Sequence, residues 1–231
     1  MRPSSKSAKI AVLGGLAVFI LLIFLFFSPA LGLVKHHFTY LPHYGPKTVN
    51  APGDTTYFSV PPFAFTDENG RTVTDRTVAG KILVVDFFFT RCTTICPRMG
   101  AEMQQLQLKL NDPAYADVLF LSHTVDPEHD SVEVLNAYAQ HLQADTSRWK
   151  FLTGSKHDIY LQGSEGYFLA AREEVMAPDG FLHSEMFVLV DKDRHIRGYY
   201  DGTKTAEVSK LAGDIKMLLK EEKIKAKEKR S

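Results

Sequence analysis

Cysteine is scarce in this sequence: Cys92 and Cys96 are the only two in 231 residues. Two cysteines four positions apart cannot staple a domain of this size, because a disulfide stabilises more as the loop it closes lengthens. The pair therefore points to chemistry rather than to scaffolding. Net charge is missing too, with Lys plus Arg and Asp plus Glu at 27 each. Without a global field, a nucleic-acid partner is not expected. There is no Gly-rich phosphate loop, no Ser/His/Asp order with a nucleophile elbow and no zinc motif with four spaced ligands. Nor is there an internal repeat.

Charge is also absent from Ile10 to Val34, and Ile10–Phe27 is almost wholly apolar. About 20 apolar residues span a bilayer as a helix. Arg2, Lys6 and Lys9 precede the run and no acid does. The positive-inside rule then keeps residues 1–9 in the cytoplasm and sends the rest across. Ser28-Pro29-Ala30 would suit signal cleavage, but the run exceeds the usual signal core of about 7–15 residues, which favours an uncleaved anchor over 10–34. No lipid-attachment cysteine follows, and the leader is short for a mitochondrial transit peptide. The expectation is a single-pass protein of a bacterial inner membrane with its globular part in the periplasm.

What remains divides into a linker (35–54), one domain (55–222) and a charged tail (223–231). The linker carries Pro42, Pro46, Pro52 and three histidines, His36, His37 and His43, read as solvated. Asp67-Glu68-Asn69-Gly70 predicts the turn of an N-terminal hairpin. Lys81–Phe89 is a near-continuous apolar run, the signature of a strand buried on both faces. Pro97 suits the first turn of a helix, and apolar residues from Met99 to Leu110 recur at roughly helical spacing. Asp117–Ser122 predicts a second central strand. Asp130-Ser131 predicts the cap of a helix to about His141, and Ser155 or Asp158 opens a shorter one ending near Gly163. His183–Val190 and Arg194–Tyr200 predict two strands around Asp191-Lys192-Asp193, and Thr205–Glu222 a last amphipathic helix. Strands alternating with helices imply a parallel core, here closed by an antiparallel hairpin. The fold class is α/β, a thioredoxin-like domain with an N-terminal hairpin, preceded by one transmembrane helix.

The buried strand leads into Thr90-Arg91-Cys92-Thr93-Thr94-Ile95-Cys96-Pro97. A loop leaving the C-terminal end of a sheet strand is where open α/β sheets place ligand sites. Cys96 falls near a helix N-terminus, whose dipole stabilises the thiolate that acts as nucleophile or metal ligand. Arg91 either lowers a thiol pKa or points to solvent. This spacing allows a redox dithiol or a chelate. Two thiolates suit a soft ion such as Cu(I), and imidazole also suits copper. His183, at the start of a strand, is the best third ligand, although a lone histidine is more commonly a surface or hydrogen-bonded core residue. His123, ending a central strand, could also approach the site. Asp126 reads equally as a support for the ligands or as a loop cap. His141, His157 and His195 read as ordinary surface residues.

At these residues the sequence resembles the Sco/SenC family of copper-binding assembly factors for cytochrome c oxidase. The matching pieces are Phe88–Pro97, Val125-Asp126-Pro127-Glu128-His129-Asp130, His183-Ser184 and Gly198-Tyr199-Tyr200-Asp201-Gly202, with Phe63–Gly70 as that family's first hairpin. The resemblance implies a thioredoxin-like fold and one copper, as Cu(I) or Cu(II), on Cys92, Cys96 and His183. It further implies delivery of copper to the binuclear site of oxidase subunit II, or reduction of that site's cysteines. Another copper protein as recipient and an upstream copper donor are further expected partners.

Two functional classes follow. A metallochaperone would hold Cu(I) on three ligands and leave room for a partner's thiolate. A thiol–disulfide oxidoreductase would attack with one cysteine and resolve with the other, although its usual signature is one residue shorter. A peroxidase is disfavoured: Thr93 and Cys96 match a peroxiredoxin superficially, but the expected proline is Phe89.

Overall fold

The computed structural model describes residues 14–24, 40–51, 53–169, 171–173 and 181–228, with backbone alone for 171–173 and 181–183. Residues 14–24 are helical. No described helix is long and apolar enough to cross a membrane; much of the anchor expected over 10–34 lies outside the described residues. The rest forms a second unit, from Tyr40 onward.

Turn chemistry starts that unit. Gly53, at φ 86°, lets Lys47–Ala51 (β1) fold back on Asp54–Tyr57 (β2). The second half of the expected linker is thus a hairpin. Its Val49, Thr55 and Thr56 carry β propensity that the nearby prolines obscure. The next hairpin pairs Ala64–Thr66 (β3) with Thr72–Thr74 (β4). Asp67 builds its turn: Oδ1 accepts from the N–H groups of Asn69 and Arg71, at 3.0 and 2.8 Å.

Ile82–Phe88 (β5) is the axis of the domain, with all seven residues buried. The loop at 89–95 follows, then Cys96–Lys109 (α1). Val118–Thr124 (β6) returns parallel to β5, with Val132–His141 (α2) after it, capped by Ser131. Trp149–Leu152 (β7) adds a further parallel strand, unexpected from the sequence because only four residues long. Lys156–Leu161 (α3) starts at the Ser155 cap and unwinds through a π turn to Gly166. Ala171–Glu173 (β8) pairs with Phe181–His183 (β9) as a separate ribbon. Met186–Val190 (β10) and Ile196–Asp201 (β11) complete the sheet, and Thr205–Glu228 (α4) closes the chain. The final helix therefore runs well into the expected tail.

Sheet order is β11-β10-β5-β6-β7, parallel across β5, β6 and β7 and antiparallel at β10 and β11. This is the thioredoxin-like plan of the sequence reading, except that its His183–Val190 strand is broken at Ser184-Glu185 into β9 and β10.

The two faces differ in content. Side chains alternate along a strand, so Asp86 and Phe88 of β5 face one way with Ser122 of β6, toward α1 and α2. Phe87 and His123 face the other way, against Phe65 and Tyr167.

Candidate metal centre

Both cysteines are buried and neither is in a disulfide. Cys92 lies in the loop after β5, its N–H bonded to the Phe89 carbonyl at 3.2 Å. Cys96 opens α1. That helix lacks a side-chain cap at Ile95 and has no acid in its first turn, so its N-terminal N–H groups need other acceptors. The Cys92 sulfur supplies one, accepting from the Cys96 N–H at 3.4 Å, with the Thr94 hydroxyl 3.5 Å away.

These contacts make the thiols unequal. Burial raises Cys92, but hydrogen bonds with the Cys96 thiol, Thr94 and backbone N–H groups outweigh it, and its pKa falls below the usual thiol value. Burial drives Cys96 strongly upward, helped by the neighbouring Cys92 sulfur. Cys92 is thereby the more acidic of the two. Cys96 sits on the helix terminus, but its side chain is buried beneath, while Cys92 folds back to receive the helix N–H.

Beneath Cys96 lies a polar chain that the apolar reading of β5 overlooked. The Trp149 Nε1–H donates to Ser122 Oγ (2.8 Å), whose hydroxyl donates to Asp86 Oδ1 (2.5 Å). Burial pushes the Asp86 pKa up to about 7, against the pull of the Ser122 bond. Asp86, Cys96, Ser122 and Tyr138 line one small internal cavity. The available signal was a single aspartate inside the 81–89 run.

A second polar set fixes the loop. Asp130, fully buried, accepts from the Thr90 N–H (3.1 Å) and from the Thr90 and Thr124 hydroxyls (2.5 Å each). Of the Asp130-Ser131 pair expected to cap the helix, Ser131 caps α2, while Asp130 ties the cysteine loop to the loop after β6.

The remaining candidates separate. Arg91 pairs with Asp126 at 2.5 Å while staying largely solvent-exposed, and it is not among the groups that lower the Cys92 pKa. Asp126 thus anchors the loop through Arg91 and also receives a backbone N–H at its carbonyl from both His129 and Asp130. His123 does not approach the cysteine loop. The two-residue period turns it to the opposite face of the sheet, between Phe65, Phe87 and Tyr167. Among the described residues neither of its ring nitrogens has a hydrogen-bond partner, and burial lowers its pKa to about 3. His183 ends β9, its backbone paired with Ala171; its side chain lies outside the described residues. By backbone, β10 starts at the sheet end where β5 gives way to the cysteine loop, since Val188 pairs with Val85 and Val190 with Leu83. The linker histidine His43 and the expected surface residue His195 are half-buried and near each other, ring centroids 5.2 Å apart.

The donor chemistry at the loop fits a soft ion: two adjacent thiols, one with a depressed pKa, and a nearby carboxylate already engaged by Arg91. A family model described as SCO1/SenC matches residues 52–220. The chain belongs to the SCO1/SenC family. The SCO1 protein homolog of Bacillus subtilis is 31% identical over 163 residues, covering 71% of this chain and 84% of that one. Among solved structures, BsSco is described as a member of the Sco family of cytochrome c oxidase assembly proteins, with a disulfide switch. It is 31% identical, with TM-score 0.63, covering 71% of this chain and 94% of its own. Bradyrhizobium japonicum ScoI, solved with copper bound, shares the fold at 23% identity and TM-score 0.58, over 70% of this chain and 99% of its own. The Sco-type fold and the thiol pair therefore occur together in a family with copper-bound members.

Proposed function

We propose that this SCO1/SenC protein binds one copper ion through Cys92, Cys96 and His183 and delivers it to the binuclear copper site of cytochrome c oxidase subunit II. The observation that carries this reading is the thiol pair folded over the start of α1, with Cys92 already biased toward thiolate. Metal binding must expel the thiol protons, and the depressed pKa of Cys92 makes that loss easier. Three soft ligands leave Cu(I) open to a partner's thiolate, so transfer passes through shared ligation. The copper bound in Bradyrhizobium japonicum ScoI supports the cargo, and the grouping of BsSco with oxidase assembly proteins supports the process. An upstream donor loads the protein, and a different copper protein is an alternative recipient. Residues 10–34 anchor the chain in a bacterial inner membrane, with the domain in the periplasm.

A second reading uses the same asymmetry. A low-pKa Cys92 thiolate attacks a partner disulfide, one partner sulfur leaves as thiolate, and Cys96 resolves the mixed disulfide. The chain ends oxidised at Cys92–Cys96 and the partner ends as a dithiol. His183→Ala separates the readings. Copper delivery requires copper uptake by this variant to collapse. Full copper retention, with disulfide reduction intact, would move the assignment to the oxidoreductase.

A further inference from the structure

The other end of the sheet carries a second group of donors. Because Val190 of β10 pairs with Leu83 near the start of β5, the β10–β11 turn lies at the end opposite the cysteine loop. Seven strand residues at about 3.3 Å each put roughly 20 Å between the two ends. At this far end, one ligand atom from each of His43, Asp191 and His195 lies within 4.8 Å of the other two. We infer that His43, Asp191 and His195 form a second metal site, built for a divalent ion that favours imidazole, with zinc(II) the best fit. The inference stands apart from the copper reading and shares none of its ligands.

The fold holds each donor in position. Asp191 Oδ1 fixes the turn by accepting from the N–H groups of Asp193 and His195, at 3.0 and 2.8 Å. That leaves Oδ2 for other work. Arg197 takes one side of it at 3.0 Å, and His195 Nδ1 approaches at 3.5 Å. Two ligands about 2.0–2.1 Å from a tetrahedral zinc stand about 3.3 Å apart, so this pair already has nearly the required spacing. Among the described residues, Nδ1 of His195 is buried with no hydrogen-bond partner beyond this 3.5 Å approach. A buried ring nitrogen left in that state is costly, and coordination would satisfy it. His43 completes the set from the segment that enters the domain. Its ring stacks on Tyr57 with centroids 3.9 Å apart. The Tyr44 N–H bonds to the Ile196 carbonyl at 2.9 Å, and Arg197 Nε donates to the Pro42 carbonyl at 3.0 Å.

Asp191 and Glu221 both pair with the buried guanidinium of Arg197, which holds the Asp191 carboxylate in place. Two imidazoles and one carboxylate are a donor set for zinc, with water as a fourth ligand.

The test uses the full chain in detergent, carrying Cys92→Ser, Cys96→Ser and His183→Ala to remove the other proposed ligands. Zinc is titrated by calorimetry, and cobalt(II) serves as the spectroscopic probe. The expected result is one zinc per chain, a tetrahedral cobalt spectrum and a higher unfolding temperature with zinc. His43→Gln and His195→Gln should each weaken zinc at least tenfold and abolish the thermal shift while remaining folded by circular dichroism. If either proves unfolded, the same loss is read from the cobalt spectrum of His43→Asn. No zinc uptake at one hundred micromolar, or uptake unchanged in both variants as ligation by His36 and His37 would give, overturns the inference.

Discussion

Replacing Asp86 by Asn should reverse part of the pH dependence of stability. Asp86 is buried beside Cys96, and burial lifts its pKa from 3.8 to about 7. The folded chain thus holds this proton more tightly than the unfolded chain does. Between about pH 4 and pH 7 the unfolded state releases it first, so the aspartate costs progressively more stability as the pH rises. Each pKa unit corresponds to about 1.4 kcal/mol, so the full cost above pH 7 is roughly 4 kcal/mol. Asparagine keeps an acceptor for the Ser122 hydroxyl but never ionises. Each donor of its amide left unsatisfied costs roughly 1–3 kcal/mol, and that cost does not vary with pH. Denaturant unfolding of reduced wild type and Asp86→Asn at about pH 4 and pH 8 isolates the ionisation. Relative to wild type, the variant should gain roughly 3–4 kcal/mol between the two pH values. The titration of His123 is common to both proteins and cancels. A stability difference that does not change with pH would refute a raised Asp86.

Other consequences follow from the same geometry. Iodoacetamide near neutral pH, followed by peptide mapping, should label Cys92 well before Cys96. Arg91→Gln should leave that order and rate nearly unchanged, because Arg91 is engaged by Asp126; preferential labelling of Cys96 would contradict the lowered pKa of Cys92. His123→Phe should stabilise the fold by about 1–3 kcal/mol by removing two unpartnered ring nitrogens. Its pKa near 3 lies below the ordinary 6.5, so wild type loses stability as the pH falls below 6.5, and the variant should not show that part of the loss in acid denaturation.

The parts of the fold with strong local signals were legible in the sequence. The 81–89 run read as a doubly buried strand, Pro97 marked the start of α1, and Asp67–Gly70 announced the β3–β4 turn. β7 was hidden because four residues carry too little periodicity, and β1–β2 because Pro46 and Pro52 disguised a hairpin as a linker. At the site, the spacing of Cys92 and Cys96 exposed the pair but not which thiol is the more acidic. That depends on the backward fold of one side chain onto a helix N–H, a tertiary contact without a sequence period. The buried partners Asp86 and Asp130 were visible as polar residues in apolar surroundings, and their connections to Ser122, Thr90 and Thr124 arise only when distant strands pair. His123 shows the converse: its place near a strand end suggested the site, and the alternation of side chains put it on the other face.

The central claim is tested most directly by measuring copper per chain after anaerobic reconstitution of the reduced protein with Cu(I). The account predicts one tightly held copper in wild type and its loss in both Cys92→Ser and Cys96→Ser. Copper held as tightly by either cysteine variant as by wild type would contradict it.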